Sequence, residues 1–494
     1  MQKLNSTTHP KRTYTERIIQ FGEGNFLRAF VDWIVQGMND RAAFDGSVVI
    51  VQPIEQGMAG KLSEQDCMYH VNLQGLIDGQ AVNSLTLIDS VSRAMNPYDD
   101  FDDYLRLAEV PTIRFVISNT TEAGIAFDEK CRLYDRPASS YPGKLVQLLW
   151  HRFCTFGGDP SKGLIIMPCE LIFLNGHHLR ECIDRYVELW RDDFGARYEA
   201  FKQWVATCCH VCATLVDRIV PGFPRREIAE IQERLGYEDN MVVQGEAFHL
   251  WVIETAPGLP IEQLEREFPA TKAGLNVVFT HNEAPYHERK VTLLNGPHTV
   301  LAPVAFLSGI NIVRDACKHP VVGRFVDRVM NHELMSTLNL PEAELRRFAA
   351  DVMERFLNPF VDHQVTSIML NSFPKFQTRD LPGLKTYLER RGELPKGIVL
   401  GLAAITTYYR GGTRSDGVAI CPNDDQRILD LLTALWQTGD MRRIAEGVLG
   451  ATDLIWHEHG NLNDIPGLTD MLTSMLEKIQ RQGMLATVEE LLDK

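Results

Sequence analysis

From Tyr286 to His298 the chain brings an amine, a carboxamide and an imidazole into one short stretch: Lys290, Asn295 and His298. On a helix advancing about 100° per residue these three fall within an arc of roughly 140°, so all can face one cavity. Groups of these kinds move protons and steady charge on an oxygen. The same residues also suit a surface lysine, a capping amide beside Gly296-Pro297 and a histidine satisfied in a core, and Pro297 disturbs ideal helical angles. A second candidate lies near the N-terminus, where Phe21-Gly22-Glu23-Gly24-Asn25-Phe26 sets two glycines between an apolar run and an amphipathic one. Glycines so placed let backbone N–H groups approach a pyrophosphate, with the positive end of a helix behind them. Leu27 replaces the third glycine of that fingerprint, and a tight turn alone gives the same pattern. A carboxylate for the ribose hydroxyls is expected after the second strand, but Gln52-Pro53 stands there, with Glu55 a little later. NADP is therefore left open beside NAD.

Elements must hold these groups. Residues 17–21 read as a buried strand stopping at the glycine turn, and from 25 to 39 apolar residues recur at helical spacing. Residues 47–51, 113–118 and 163–167 read as further strands, apolar enough to be covered on both faces, which implies a parallel sheet with crossover helices. Pro and Gly break the pattern between 256 and 285, around one last strand at 276–279. Beyond Tyr286 nearly everything reads as helix, for example 343–356, 396–409 and 425–436. The expected division is an α/β domain over 1–280 and an all-helical domain over 281–494.

A chain of 494 residues implies more than one core, and 45% hydrophobic with 23% charged residues is globular usage. With 50 basic and 65 acidic residues the net charge is −15, which repels nucleic acid and anionic lipid. A small anionic substrate then needs a local basic pocket. No apolar run is long enough to span a bilayer. The first ten residues lack a secretion signal's apolar core, and ten cysteines are too few for a disulfide scaffold, so a cytoplasmic location is expected.

Lys290-x4-Asn295-x2-His298 opening a helical region, after Gly22-x-Gly24-x-Phe26-x-Arg28 in an α/β region, resembles the mannitol dehydrogenase family of polyol-specific long-chain dehydrogenases. Thr121-Glu122-x-Gly124, Val216-Asp217-Arg218-Ile219 and Phe248-His249-x-Trp251-Val252 resemble that family's motifs, in its order. The resemblance implies a Rossmann-type N-terminal domain with a mostly parallel sheet, an all-α C-terminal domain, and metal-independent hydride transfer between a nicotinamide and a secondary alcohol or ketone. It implies NAD held by Ile19, Phe21, Gly22, Glu23, Gly24, Asn25, Phe26 and Arg28, with Thr121 and Glu122 near the nicotinamide. Lys290 becomes the general acid and base, Asn295 a donor to the same oxygen, and His298 the group that orients the substrate or helps the proton leave.

Tracts at 17–33, 118–124, 168–172 and 358–376 resemble a branch acting on hexuronate-derived sugar acids, whose substrate carboxylate falls to Lys375, with Arg379 and Arg410 as lesser choices. Asp217, Arg218 and His363 join as substrate-site candidates; Asp217 and Arg218 serve equally as a buried ion pair. Two departures fit this branch. Leu171 stands where other branches place an oxyanion-hole Asn, and Ser367 where they place an Arg eight residues before the lysine. A family carboxylate three residues before Lys290 is His287 here, with Glu288 beside it.

Other ligand-like clusters read as structure. Cys208-Cys209-His210-x-Cys212 holds ligand types for zinc, but no second close pair follows to complete a site of suitable geometry, and it is expected as core cysteines within a helix. His177-His178 and His457-Glu458-His459 suit loops or surface, Gly411-Gly412-Thr413-Arg414 a loop ending a helix, and Met471, Met475 and Met484 packing positions.

Overall fold

A computed structural model describes residues 1–493. Twelve strands occupy the N-terminal half: β1 (Glu16–Phe21), β2 (Ser47–Val51), β3 (Tyr69–Ile77), β4 (Gln80–Ile88), β5 (Val91–Met95), β6 (Phe115–Ser118), β7 (Ile165–Pro168), β8 (His210–Val211), β9 (Ala213–Asp217), β10 (Val243–Glu246), β11 (Leu250–Glu254) and β12 (Val277–Thr280). Six of them form one sheet in the order β5-β2-β1-β6-β7-β8, every pairing parallel. Counted along the chain within that sheet, the order is 3-2-1-4-5-6, the doubly wound dinucleotide-binding order, reversing between β1 and β6.

The apolar runs read from the sequence are buried on both faces, as a parallel sheet demands: β2 is buried at every position, and β1 from Ile18 to Phe21. One face meets the helix over residues 25–42 through Phe30, Val31, Ile34 and Val35; the other meets Leu145, Leu149 and Ile183 of two later helices. A wide π turn over Arg28–Asp32 interrupts the first of these helices. Asp32 lies on that turn, and burial pushes its carboxyl up to about 7. Its Oδ2 accepts from the Tyr69 hydroxyl at 2.5 Å, whereas Oδ1 is a buried acceptor without a partner. An unfolded aspartate gives up its proton near pH 4, so between about 4 and 7 the folded form holds a proton the unfolded chain has lost. Stability accordingly falls as pH rises through that window. Asp32→Asn, which cannot ionise, is expected to flatten that part of the stability profile in urea titrations at pH 5 and 8.

The last strand read from the sequence does form, but in a separate three-stranded sheet, β12-β11-β9, in which β11 runs parallel to β12 and antiparallel to β9. The segment at Cys208–Cys212 differs from expectation: the helix ends at Cys208 and His210–Val211 is the edge strand of the large sheet. Cys209 and Cys212 are core residues flanking it. The hairpin β3–β4 was not read from the sequence. Its turn, Asp78-Gly79, holds two successive left-handed residues (φ 50° and 74°), the conformation of tight two-residue hairpin loops.

Contacts divide the chain into two units, one of Met1–Gln74 with Val82–Ala284, the other of Gly75–Ala81 with everything from Pro285 onward. From Pro285 onward the second unit is mostly helical, with a small ribbon of Gly412–Thr413 against Ala419–Ile420, and it also takes in the tip of the β3–β4 hairpin. Gly411–Arg414 thus enters a ribbon rather than a plain loop, with Arg414 buried against Phe306 O and Asp416. The hairpin tip belongs to this unit, the backbone N–H groups of Asp78 and Gly79 donating to the Glu354 carboxylate at 3.2 and 2.5 Å. Among the described residues no helix is long and apolar enough to cross a membrane.

Candidate active site

In the first unit the glycine turn lies at the C-terminal end of β1. Gly22 takes φ 125°, its N–H donates to Val51 O at 3.0 Å, and a Cβ there would stand 3.0 Å from both Asn119 O and Leu27 Cδ1. Only glycine fits that path. Gly22→Ala is expected to destabilise this unit by about 1–3 kcal/mol, read as a lowered urea midpoint. Gly24 differs: its φ is ordinary and nothing lies within 4 Å of where its Cβ would be, so open space adjoins the start of the helix. That opening at a helix N-terminus fits a pyrophosphate.

Arg28 shapes the turn from behind. Its guanidinium is buried and donates to Glu23 O (3.1 Å), Met241 O (2.6 Å) and Asn25 Oδ1 (2.8 Å). Glu23 accepts from the Met58 N–H at 3.3 Å, which ties the turn to the loop after β2. Ile19 and Phe21 are core residues beneath the turn, and Phe26 stacks on Phe30 at 5.1 Å. Gln52, at the ribose position, is engaged on its own loop, donating to Ile54 O and Glu55 O and accepting from the Ala59 N–H. After β6, Thr121 adopts φ 71° and both Thr121 and Glu122 are exposed.

The Val216–Ile219 and Phe248–Val252 motifs prove to be strand partners, Leu250 opposite Asp217 and Trp251 opposite Val216. Arg218 donates to the carbonyls of Phe248, Ala29 and Ala247 and lies 4.3 Å over the Trp33 ring; burial lowers it to about 9. It is a brace between strand and helix, while Asp217 sits buried at the end of β9. At the missing family amide, Leu171 is 65% exposed and Phe173 is exposed beside it, on a loop that Glu283 holds through the Leu174 N–H at 3.3 Å. Burial, with Glu254 nearby, raises the Glu283 carboxyl to about 7.

In the second unit Lys290 ends the helix Ala284–Lys290, a π turn covers Val291–Asn295, and the helix Gly296–Leu307 follows. Pro297 follows Gly296, whose N–H donates to Val291 O across the π turn, and has no N–H to continue that pattern. The wide turn resets the angles, so the ideal 100° spacing does not describe Lys290 against His298. His287 is close enough to Lys290 that burial and that amine together lower it, and Glu288 is exposed.

Around His298 the unit assembles groups from three other elements. Its ring stacks face-on with Phe356 at 4.0 Å and meets His363 edge-on at 5.4 Å. Its Nε2 is sealed from solvent without a protein partner, and burial, reinforced by His363, Arg355 and Arg379, holds the imidazole neutral. Arg379 donates to Thr299 Oγ1 at 3.2 Å, and that hydroxyl donates to Asn295 O at 2.8 Å. Lys375, one turn before Arg379, donates to Ile368 O at 2.7 Å, and burial with the Arg379 charge lowers it. Arg410 is elsewhere, bonded to Gln480 at 2.7 Å over the Trp436 ring, and Ser367 is an exposed hydroxyl bonded to Gln364 O. Sequence reasoning missed Arg355, Phe356 and Thr299; the first two carry no local signal because they come from an element distant in the chain. Among the described residues no cluster of His, Cys, Asp or Glu could hold a metal ion.

Residues 16–263 match the family described as mannitol dehydrogenase Rossmann domain, and residues 282–480 match the mannitol dehydrogenase C-terminal domain. Relatives named altronate oxidoreductase are 66% identical in Phocaeicola vulgatus and 64% in Bacteroides thetaiotaomicron, covering all of both chains. One from Bacillus subtilis is 43% identical over 99% of this chain and 98% of its own. Of solved structures, a substrate-free D-sorbitol dehydrogenase shares the fold with TM-score 0.80 at 20% identity, over 98% of this chain and 100% of the other. Mannitol 2-dehydrogenase of Pseudomonas fluorescens, solved with NAD and D-mannitol, gives 0.66 at 21%, over the whole of both chains.

Proposed function

Because the chain belongs to the mannitol dehydrogenase family and is therefore a nicotinamide-dependent dehydrogenase of secondary alcohols, we propose that it interconverts tagaturonate and altronate, with NADH as reductant, in hexuronate breakdown. The observation that carries the substrate is the 66% identity, over the full length of both chains, to a relative named altronate oxidoreductase. Site chemistry supports the sugar-acid class: on a chain of net charge −15, the groups around His298 are His363, Arg355 and Arg379, with Lys375 a turn away. Those side chains supply the local positive charge a carboxylate requires.

A bound nicotinamide supplies the hydride to the keto carbon. Lys290 gives its proton to the oxygen as it becomes an alkoxide and takes it back in oxidation. The Asn295 amide donates to the same oxygen, whose charge grows toward the transition state; its main chain is steadied by the Arg379–Thr299 link. His298, held neutral by burial, orients the substrate or helps the proton leave.

Fructuronate reductase and mannitol-type activity are the near rivals, and Leu171 and Ser367 stand against both. A non-catalytic sensor on this fold has no need of the Lys290, Asn295 and His298 set. NADH and NADPH, each tested spectrophotometrically with tagaturonate, fructuronate and fructose, separate these readings. Fastest oxidation of NADH with tagaturonate is expected; preference for either other sugar, or none turned over, overturns the proposal. Among the groups placed at the loop after β2 none is a cation, so NADPH is expected to be the poorer cofactor.

A further inference from the structure

The loop leaving β6 carries the exposed Thr121 and Glu122, in a turn where the Gly124 N–H donates to Thr121 O at 3.0 Å. Its orientation depends on what fixes the residue before it. Thr120 is fixed by a side chain from the next strand: Glu170, 2% exposed at the end of β7. Its Oε1 accepts from both the N–H and the hydroxyl of Thr120, each at 2.9 Å, and its Oε2 accepts from the Ser118 hydroxyl at 3.0 Å. Between them, Asn119 donates its N–H to Phe21 O at 3.1 Å and its amide to Cys169 O at 2.8 Å, and its carbonyl lies against Gly22. Three donors converge on one acid with no donor asked in return, a demand a carboxylate meets and an amide meets only in part.

Strand order says which half of a dinucleotide this serves. The crevice opens where the order reverses, between β1 and β6, and the adenosine ribose belongs with the strand after the glycine turn, β2. The loops after β6 and β7 are left for the nicotinamide half. We propose that Glu170 is a positioning residue that holds the Thr120–Gly124 turn for the nicotinamide half of the cofactor. The role rests on the dinucleotide reading above and gives Glu170 no contact with the reacting atoms.

The test compares Glu170→Ala, Glu170→Gln and Thr120→Val in the full chain. Binding of NADH is followed by its fluorescence, and binding of ADP, which carries only the adenosine half, by competition. Losing charge-assisted bonds at Thr120 is expected to weaken NADH about tenfold or more in Glu170→Ala, lowering kcat as well, with ADP affinity unchanged. Glu170→Gln, which keeps an oxygen for Thr120, is expected to recover most of the loss, and Thr120→Val to fall between. Equal weakening of NADH and ADP, or wild-type NADH affinity in Glu170→Ala, overturns the proposal. If Glu170→Ala does not fold, wild-type NADH affinity in Thr120→Val does so. A wild-type protein that binds no NADH at all overturns the dinucleotide reading itself, and this role with it.

Discussion

Replacing Lys290 by alanine is expected to lower kcat by about a thousandfold, in the range usual for a lost general acid and base, while NADH affinity stays at the wild-type level. The two readouts separate because Lys290 lies in the helical unit and the glycine turn in the other. Lys290→Arg sharpens the experiment. A guanidinium keeps the positive charge but does not give up a proton at any accessible pH. If the amine only attracts an anionic substrate, the arginine variant retains activity; if it transfers the proton, arginine is nearly as inactive as alanine. Near-normal turnover in either variant removes Lys290 from the chemistry. His287, in the place of a family carboxylate, is lowered by burial and by Lys290 and stays neutral at pH 7. It therefore adds no second charge against the ammonium.

The second large effect concerns the substrate's carboxylate. Lys375→Ala is expected to raise KM for tagaturonate about 10- to 100-fold, the worth of a hydrogen-bonded charge partner, with kcat little changed. Its effect on an uncharged ketose should be small. Arg379→Ala should behave differently, because the same guanidinium holds Thr299, whose hydroxyl bonds the Asn295 carbonyl. There both KM and kcat are expected to suffer. Steady-state kinetics on tagaturonate and fructose for the two variants resolve this. Equal losses on both sugars in Lys375→Ala would mean the lysine is structural, a prop for Ile368 O through its 2.7 Å bond.

How much of this was readable beforehand follows from the range of the forces involved. The strands at 17–21 and 47–51, the glycine turn and the helix after it show in the sequence because each is buried by a pattern local to itself. The π turns at Arg28–Asp32 and Val291–Asn295 do not show, since one extra residue in a turn leaves the apolar stripe nearly intact. His210–Val211 was misread because a two-residue strand has no periodicity to detect; the large sheet supplies the pairing. The hairpin at β3–β4 did carry a signal, Asp78-Gly79 between alternating residues, which the reading passed over. Around His298 the limit is more basic. Phe356, His363 and Arg379 come from three separate elements, and only folding brings them to one imidazole. Arg28 and Arg218 were legible as motif members but not as braces, because the carbonyls they bind are set by backbone path.

The partition of the β3–β4 hairpin bears on any attempt to dissect the molecule. Cutting the gene at the junction before Pro285 would not yield two self-sufficient pieces, since residues 75–81 are encoded upstream but belong to the downstream unit. A C-terminal fragment expressed alone would leave Glu354 without the two amides that donate to it. Supplying the missing heptapeptide in trans, or grafting it to the fragment's N-terminus, is the natural way to give those two hydrogen bonds back to such a truncation.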